Sequence, residues 1–87
     1  MRLRIRRRAK KELLGIDDDA TFFAVVKTIL DLETKPKPRG YDKAEGREEV
    51  YRIWVGRDWR LLYSIAAARD EVVIEAVRKR DEGTYRL

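Results

Sequence analysis

Arginines placed eight and twenty residues apart are the side chains of this 87-residue sequence best suited to chemistry. Arg52 and Arg60 lie in the segment VYRIWVGRDWRLLYSI, and Arg80 follows in AVRKRDEGTY. A guanidinium stays protonated and donates paired hydrogen bonds to phosphate oxygens. These side chains therefore suit the binding of a phosphate group and the stabilisation of charge that develops on it.

The sequence contains neither histidine nor cysteine. Proton transfer is therefore left to carboxylates, lysine, arginine and tyrosine. We expect no disulfide, no metal site and no cofactor, and the lack of cysteine fits a reducing interior. No apolar run approaches the roughly 20 residues that span a bilayer, so we expect a soluble, cytoplasmic protein without a membrane partner.

Alternating apolar residues from Val50 onward predict antiparallel strands that present the arginines on one face. A hairpin loop at residues 56–58 would pair Val55 with Trp59, Ile53 with Leu61 and Tyr51 with Tyr63. The face opposite these apolar residues would then carry Arg52, Trp54, Arg60 and Leu62.

A second turn at residues 67–70 predicts a third strand in the same sheet. It would place Val72 opposite Ile65 and Ile74 opposite Tyr63, with Val73, Glu75 and Val77 on the arginine face. The assignment of faces depends on the register, because a slip of one residue exchanges them.

The first half of the chain predicts one strand followed by two helices. Leu3 and Ile5 indicate the strand, residues 9–14 a short helix closed by Gly15, and residues 20–33 a second helix after an acidic start. Apolar residues at three- and four-residue spacing predict the core face of the second helix: Phe22, Phe23, Val26, Ile29 and Leu30. Residues 34–49, with both prolines, predict an exposed connection.

The predicted fold class is therefore α+β. An N-terminal strand and two helices would pack on one face of a mainly antiparallel sheet, in the order β-α-α-β-β-β, within a single domain of residues 1–87.

Basic residues dominate the first 11 positions, which hold seven lysines and arginines and no acidic residue. A stripe of this kind favours phosphate backbones in a salt-dependent way. It equally fits a solvated strand edge that arginines keep unpaired.

Three segments carry a resemblance: RAKKEL near the start, YRIWVGRDWRLLYSI in the predicted hairpin, and AVRKRDEGTY at the end. Together they resemble the RelE/ParE superfamily of bacterial and archaeal toxins from type II toxin–antitoxin systems. The hairpin is the most specific, because the family commonly shows a tyrosine–basic–apolar start, a glycine turn and then aromatic–Arg–apolar–apolar–Tyr. The resemblance covers nearly the whole chain.

The resemblance implies a toxin that a cognate antitoxin holds inactive in a hetero-oligomer. In the RelE branch it implies a ribosome-dependent endoribonuclease that cuts messenger RNA in the ribosomal A site. It implies catalytic roles for Arg60, Arg80 and Tyr85, and to a substrate-binding set we assign Arg52, Trp54, Arg57 and Lys79. Arg52 and Trp54 stand where RelE enzymes carry lysines.

Two other functions stay open at this point. ParE relatives share the fold but poison DNA gyrase without the ribonuclease residues, and Trp54 in place of a lysine fits such an inhibitor. A basic module that binds nucleic acid without catalysis is the third interpretation.

Cleavage of RNA by its own 2′-hydroxyl needs a base, cations around the phosphorane and a proton donor for the leaving 5′-oxygen. The arginines suit the cationic role, while Tyr85 suits stacking on a base or activation of the nucleophile. The carboxylate base stays open among Glu45, Glu48, Asp81 and Glu82. Arg60 also has a structural interpretation, a cross-strand ion pair with Glu75.

Overall fold

The described residues form an α+β fold in which two helices cover one face of a five-stranded sheet, so the predicted fold class is confirmed. The structure is a computed structural model that describes residues 1–38, 40–43 and 50–80. Its elements are β1 Arg2–Ile5, α1 Arg7–Leu14, α2 Asp19–Thr34, β2 Asp42–Lys43, β3 Val50–Val55, β4 Trp59–Ala66 and β5 Glu71–Lys79, with a 3-10 turn Ala67–Arg69 before β5.

The strands lie in the order β1-β5-β4-β3-β2. β1 runs parallel to β5, and the other neighbouring pairs are antiparallel. β2 lies in the segment that we predicted to be an exposed connection, so that prediction missed one strand. Two residues are too few to show an alternating pattern, which is why the sequence gives no sign of β2.

The three C-terminal strands of the sheet have the predicted pairing at both turns. Val55 lies opposite Trp59, and Ile65 lies opposite Val72. Gly56 has a φ of 65°, a left-handed conformation that glycine adopts without a steric penalty. Asp70 closes the second turn with a φ of 53°, a conformation that aspartate tolerates better than most residues.

A bulge in β5 changes which side chains share the arginine face. Tyr63 lies opposite Ile74 as predicted, but Leu62 lies opposite Ala76, and the register shift leaves Glu75 as the extra residue. One extra residue exchanges the faces of all residues that follow it. Val77 is therefore in the core at 3% exposure, and its predicted place on the arginine face was wrong. Arg78 lies opposite Arg60 instead.

Both helices begin or end at the residues expected from the sequence. The Gly15 N–H donates to the carbonyl oxygens of Lys11 and Glu12 at the end of α1. At the start of α2, the Asp18 carboxylate accepts hydrogen bonds from the Thr21 hydroxyl at 2.6 Å and the Thr21 N–H at 2.8 Å, which lower the pKa of Asp18. Neither helix in the described part of the chain has the length and apolar character of a membrane crossing.

The core face of α2 differs from the predicted one. Val25, Ile29 and Leu32 are buried, whereas Phe23 is 66% exposed and Leu30 is 53% exposed. Phe23 and Leu30 are seven residues apart and share a flank of the helix that faces away from the sheet. Their assignment to the core was therefore wrong, whereas Ile29 is in the core as predicted and Phe22 and Val26 pack partly against it.

Tyr63 is the largest fully buried side chain and stands at the centre of the core face of the sheet. Its hydroxyl donates to the Pro36 carbonyl oxygen at 2.8 Å, so its polar group is satisfied. Burial raises the pKa of Tyr63 to about 12. The proline-rich segment after α2 is thereby fastened to the sheet.

Candidate functional site

A row of three side chains crosses the face of the sheet that the helices leave uncovered. Trp54 on β3 lies opposite Arg60 on β4, and Arg60 lies opposite Arg78 on β5. Directly opposed residues have their Cβ atoms about 5 Å apart, so these side chains are immediate neighbours. Arg52 stands on the same face of β3, two residues before Trp54.

Arg60 is the most unusual of these side chains, because it is a buried cation. The residue is 6% exposed, and its Nε and Nη2 atoms have no hydrogen-bond partner among the described residues. Burial, followed by the positive charges of Arg52 and Arg78, lowers the pKa of Arg60. Unsatisfied buried donors of a charged group cost at least about 1–3 kcal/mol, and an anion placed beside them would remove that cost.

The structural interpretation of Arg60, an ion pair with Glu75, was wrong. The Glu75 carboxylate accepts hydrogen bonds from the Arg6 Nε and the Ser64 hydroxyl, each at 2.7 Å. The bulge places Arg78, a second cation, opposite Arg60. Within the described parts of the chain, Arg60 therefore has two cations beside it and no acidic partner.

The two flanking arginines each have an acidic partner. Arg52 Nη2 lies 2.6 Å from Asp42 Oδ2 on β2, and Arg78 Nε lies 3.6 Å from Glu12 Oε2 on α1. These carboxylates hold the outer arginines in place and offset part of their repulsion with Arg60. No described residue accepts a hydrogen bond from Nε or Nη2 of the central Arg60.

Glu12 has a second contact that fixes the edge of the sheet. Its Oε1 atom accepts a hydrogen bond from the Val77 N–H at 2.9 Å. β1 pairs with β5 only as far as Ile74, so Glu12 supplies an acceptor where that pairing ends. α1 is thus connected both to the backbone of β5 and to Arg78.

Trp54 and Arg80 form the rim of the site. Trp54 is 43% exposed, and the guanidinium carbon of Arg80 lies 5.9 Å from the centroid of its ring. This is within the range of a cation–π interaction. The Arg80 N–H also donates to the Asp58 carbonyl oxygen, which holds the end of β5 against the hairpin turn.

The chain that carries this arginine-rich face is similar to a known protein family. The sequence matches the family described as ParE toxin of type II toxin-antitoxin system, parDE, over residues 3–83. The chain belongs to this family. A comparison with curated proteins gave no match.

Solved structures of RelE and ParE toxins have the same fold. The archaeal RelE–RelB complex from Pyrococcus horikoshii OT3 is 26% identical, with a TM-score of 0.77 over 93% of this chain and 96% of that chain. The toxin–antitoxin complex RelBE2 from Mycobacterium tuberculosis is 27% identical, with a TM-score of 0.75 over 93% of this chain and 92% of that chain. The YoeB/ParE toxin from Agrobacterium tumefaciens is 12% identical, with a TM-score of 0.77 over 91% and 98% of the two chains.

The chain is therefore a RelE/ParE toxin of a type II toxin–antitoxin system, as its sequence segments predicted. Two of the similar structures are complexes of a toxin with its antitoxin. The likeness to the YoeB/ParE toxin concerns the fold alone.

The toxin fold brings some of the predicted site residues together and separates others. Arg52, Trp54, Arg60 and Arg80 meet on the arginine face. Arg57 lies in the hairpin turn, where it lines a shallow groove of about 260 Å³ with the first turn of α2. Lys79 lies opposite Trp59, which packs against the core, so strand alternation places Lys79 on the helix-covered face.

Several predicted residues lie outside the described residues. They are Tyr85 and the four candidate bases Glu45, Glu48, Asp81 and Glu82. The described residues also contain no group of three or more acidic side chains placed to hold a metal ion.

Three residues of this site were not predicted from the sequence: Arg78, Glu12 and Asp42. Arg78 was assigned no place there because the bulge at Glu75 leaves no trace in the alternating pattern. The RAKKEL segment that carries Glu12 was noted only as part of the family resemblance. Nothing in the sequence distinguishes Asp42 from the other charged residues of its segment.

Proposed function

We propose that this toxin is a ribosome-dependent endoribonuclease that cuts messenger RNA at its arginine face. Arg60 carries the proposal, because it is a buried guanidinium beside two further arginines, and its Nε and Nη2 find no acceptor among the described residues. A site of this kind suits a phosphate whose negative charge increases in the transition state. The similarity to RelE structures from two organisms supports the same class of target.

In this mechanism the arginines act as electrostatic groups rather than as acids or bases. Arg60 would donate to the non-bridging oxygens of the scissile phosphate, while Arg52 and Arg78 raise the positive potential around it. Arg80 would contact the RNA from the rim. The proton transfers fall to groups outside the described residues, with Tyr85 and the carboxylates of Glu45, Glu48, Asp81 and Glu82 as the proposed candidates.

The arginines among the described residues are compatible with dependence on the ribosome. A cluster of cations binds phosphate but does not by itself align the 2′-hydroxyl with the phosphorus atom. Positioning of this kind contributes several kcal/mol to the lowering of a barrier, and the ribosome would supply it by holding the messenger RNA in place. The partners of the toxin are then messenger RNA, the ribosome and, in the cytoplasm, a cognate antitoxin.

Primer extension on a defined messenger RNA tests the proposal. Purified toxin is incubated with that RNA, either programmed into ribosomes or free. We expect cuts in the ribosomal A site only when ribosomes are present. We also expect Arg60→Ala and Arg80→Ala to reduce cutting by at least about 100-fold, because each removes a donor to the phosphate.

Arg69→Ala is the matched control. Arg69 is exposed at the opposite end of β4 from Arg60, so its replacement should leave cutting unchanged. If Arg60→Ala cuts as well as the parent toxin, the assignment of the site is wrong.

A second candidate function is inhibition of DNA gyrase without nuclease activity. Two observations favour it: the family match is to a ParE toxin, and Trp54 occupies a position where RelE enzymes carry a lysine. A supercoiling assay with purified gyrase distinguishes the two functions, because only the ParE-like function predicts loss of supercoiling. RNA binding without cleavage in primer extension and without loss of supercoiling would support the third interpretation, a basic module that binds nucleic acid.

A further inference from the structure

Trp54 is an aromatic side chain that phosphate binding does not explain. It stands on the arginine face at 43% exposure, whereas Trp59 on the neighbouring strand packs against the core. The accessible ring of Trp54 lies beside the buried Arg60 and the guanidinium of Arg80, a position that suits a ligand with both an anionic group and a flat apolar surface.

Arg80 holds the Trp54 ring within the site. The guanidinium carbon of Arg80 lies 5.9 Å from the ring centroid, although Arg80 follows β5 and Trp54 belongs to β3. β4 lies between these two strands, so the Arg80 side chain extends across the strand that carries Arg60. A flat guanidinium and an indole ring thus stand together beside the buried cation.

The distance between Trp54 and Arg60 fits one nucleotide. The two residues are directly opposed on β3 and β4, which places their Cβ atoms about 5 Å apart. A phosphate bound to Arg60 would carry its own sugar and base past the neighbouring side chain. Arg60 has two directly opposed neighbours, Trp54 and Arg78, and of these two Trp54 offers an aromatic ring.

We propose that Trp54 and Arg80 form a stacking subsite for one unpaired base of an RNA strand whose phosphate binds Arg60. The inference rests on the proposed function in taking RNA as the ligand. Every base has a flat π face, so an indole ring and a guanidinium bind it without regard to sequence. The base must be unpaired, because the faces of bases in a duplex are hidden by stacking.

The proposed subsite would distinguish this toxin from the RelE enzymes that its sequence resembles. Where RelE enzymes carry a lysine, which contacts phosphate only as a point charge, this toxin carries an indole ring. The exchange gives up one phosphate contact and adds one base contact. Binding should therefore depend on the bases as well as on the backbone.

Binding of two strands that differ only in their bases tests the inference. One is a short single-stranded RNA with 2′-O-methyl groups that prevent cleavage, and the other is an abasic strand of the same length and charge. We expect the parent toxin to bind the base-bearing strand about tenfold more tightly, the usual size of one stacking contact. We expect the same strand to quench tryptophan fluorescence.

Two replacements of Trp54 distinguish stacking on a base from non-specific apolar contact with the ligand. Trp54→Leu should abolish the preference for bases and leave abasic binding unchanged, while Trp54→Phe should keep most of the preference because it keeps an aromatic face. Trp59→Phe is the control and should keep both the preference and the quenching. Circular dichroism melting confirms that each variant is folded.

Equal binding of the two strands by the parent toxin overturns the inference. So does a preference that Trp54→Leu retains, or the failure of both strands to bind, which would point to a protein partner for Trp54. Cleavage is measured separately on ribosomes. A toxin that prefers bases but cuts nothing would disprove the nuclease and leave the stacking subsite standing.

Discussion

Arg60 points to a function because the burial of its charged side chain is energetically unfavourable. A buried guanidinium without hydrogen-bond partners destabilises a folded protein, and neighbouring cations increase the penalty. No contact within the described residues repays that penalty. This observation supports the proposal that Arg60 binds an anionic ligand.

Replacement of Arg60 by methionine should therefore stabilise the toxin. Arg60→Met keeps an unbranched apolar stem and removes the buried charge, so we expect the free energy of unfolding to rise by about 1 kcal/mol. Urea denaturation measures the change. Arg69→Met, at an exposed position, should alter stability by less than about 0.5 kcal/mol. A clear loss of stability in Arg60→Met would show that the guanidinium supports the fold.

Tyr63 predicts a loss of stability at alkaline pH. Its folded-state pKa of about 12 lies above the ordinary value of 10.0, so the unfolded chain loses the phenolic proton first. The contribution of Tyr63 is complete below pH 10 and is lost as the pH rises from 10 to 12, by up to about 2 kcal/mol.

Urea denaturation near the two ends of this range, for the parent toxin and for Tyr63→Phe, isolates the effect. The phenylalanine variant lacks the titrating group and should lose less stability over the same interval. If the free energy of unfolding falls equally for the two proteins over this pH range, the raised pKa of Tyr63 is contradicted.

At the scale of elements, the strands were predictable where alternation is uninterrupted. The pairing of β3 with β4 and the start of β5 follow from apolar residues at every second position and from two turns with left-handed residues. β2 and the bulge at Glu75 were not predictable, because neither leaves a periodic signal. The bulge alone explains why Val77 was assigned to the wrong face and Arg78 was not assigned to the site.

The error in α2 has a similar origin. Its apolar residues cover more of the helix than the sheet can bury, so spacing alone did not separate Val25 and Leu32 from Phe23 and Leu30. The depth of each position depends on where the helix meets the sheet, which is a tertiary property. The candidate site was predictable to the same extent: residues on regular strands were found, and their acidic partners on α1 and β2 were not.

Glu12 is the element-scale contact whose removal should be most informative. Glu12→Leu removes both the acceptor for the Val77 N–H and the partner of Arg78, so we expect a loss of about 1–3 kcal/mol in the free energy of unfolding. Glu12→Gln keeps an acceptor and should lose less than about 1 kcal/mol.

Glu33→Leu, which removes an exposed carboxylate from the last turn of α2, is the control for this pair. Its stability should stay within about 0.5 kcal/mol of the parent toxin. Equal stability of Glu12→Leu and the parent would show that the edge of β5 needs no acceptor from α1.

At the scale of the whole molecule, the two faces of the sheet separate the residues that stabilise the fold from those of the candidate site. One face holds the apolar core under the helices, and the other carries the arginines. The basic N-terminal stripe is divided in the same way. Arg2, Arg4 and Arg6 are used within the fold, by contacts with the Arg69 carbonyl oxygen, Glu71 and Glu75, whereas Arg7, Arg8, Lys10 and Lys11 are exposed on α1.

This division lets the arginine face be altered without loss of the fold. The core residues lie on the other side of the sheet, so a change at Arg60 should affect chemistry while the melting curve stays cooperative. An inactive and folded variant is therefore attainable, which makes the central claim directly testable.

The most direct test is the single-turnover rate at which Arg60→Met cuts messenger RNA bound in the ribosomal A site. The proposed mechanism predicts a stable toxin that cuts at least about 100-fold more slowly than the parent, because the cation that meets the phosphate is gone. A folded Arg60→Met variant that cuts at the parent rate would contradict the claim that this arginine face is the active site.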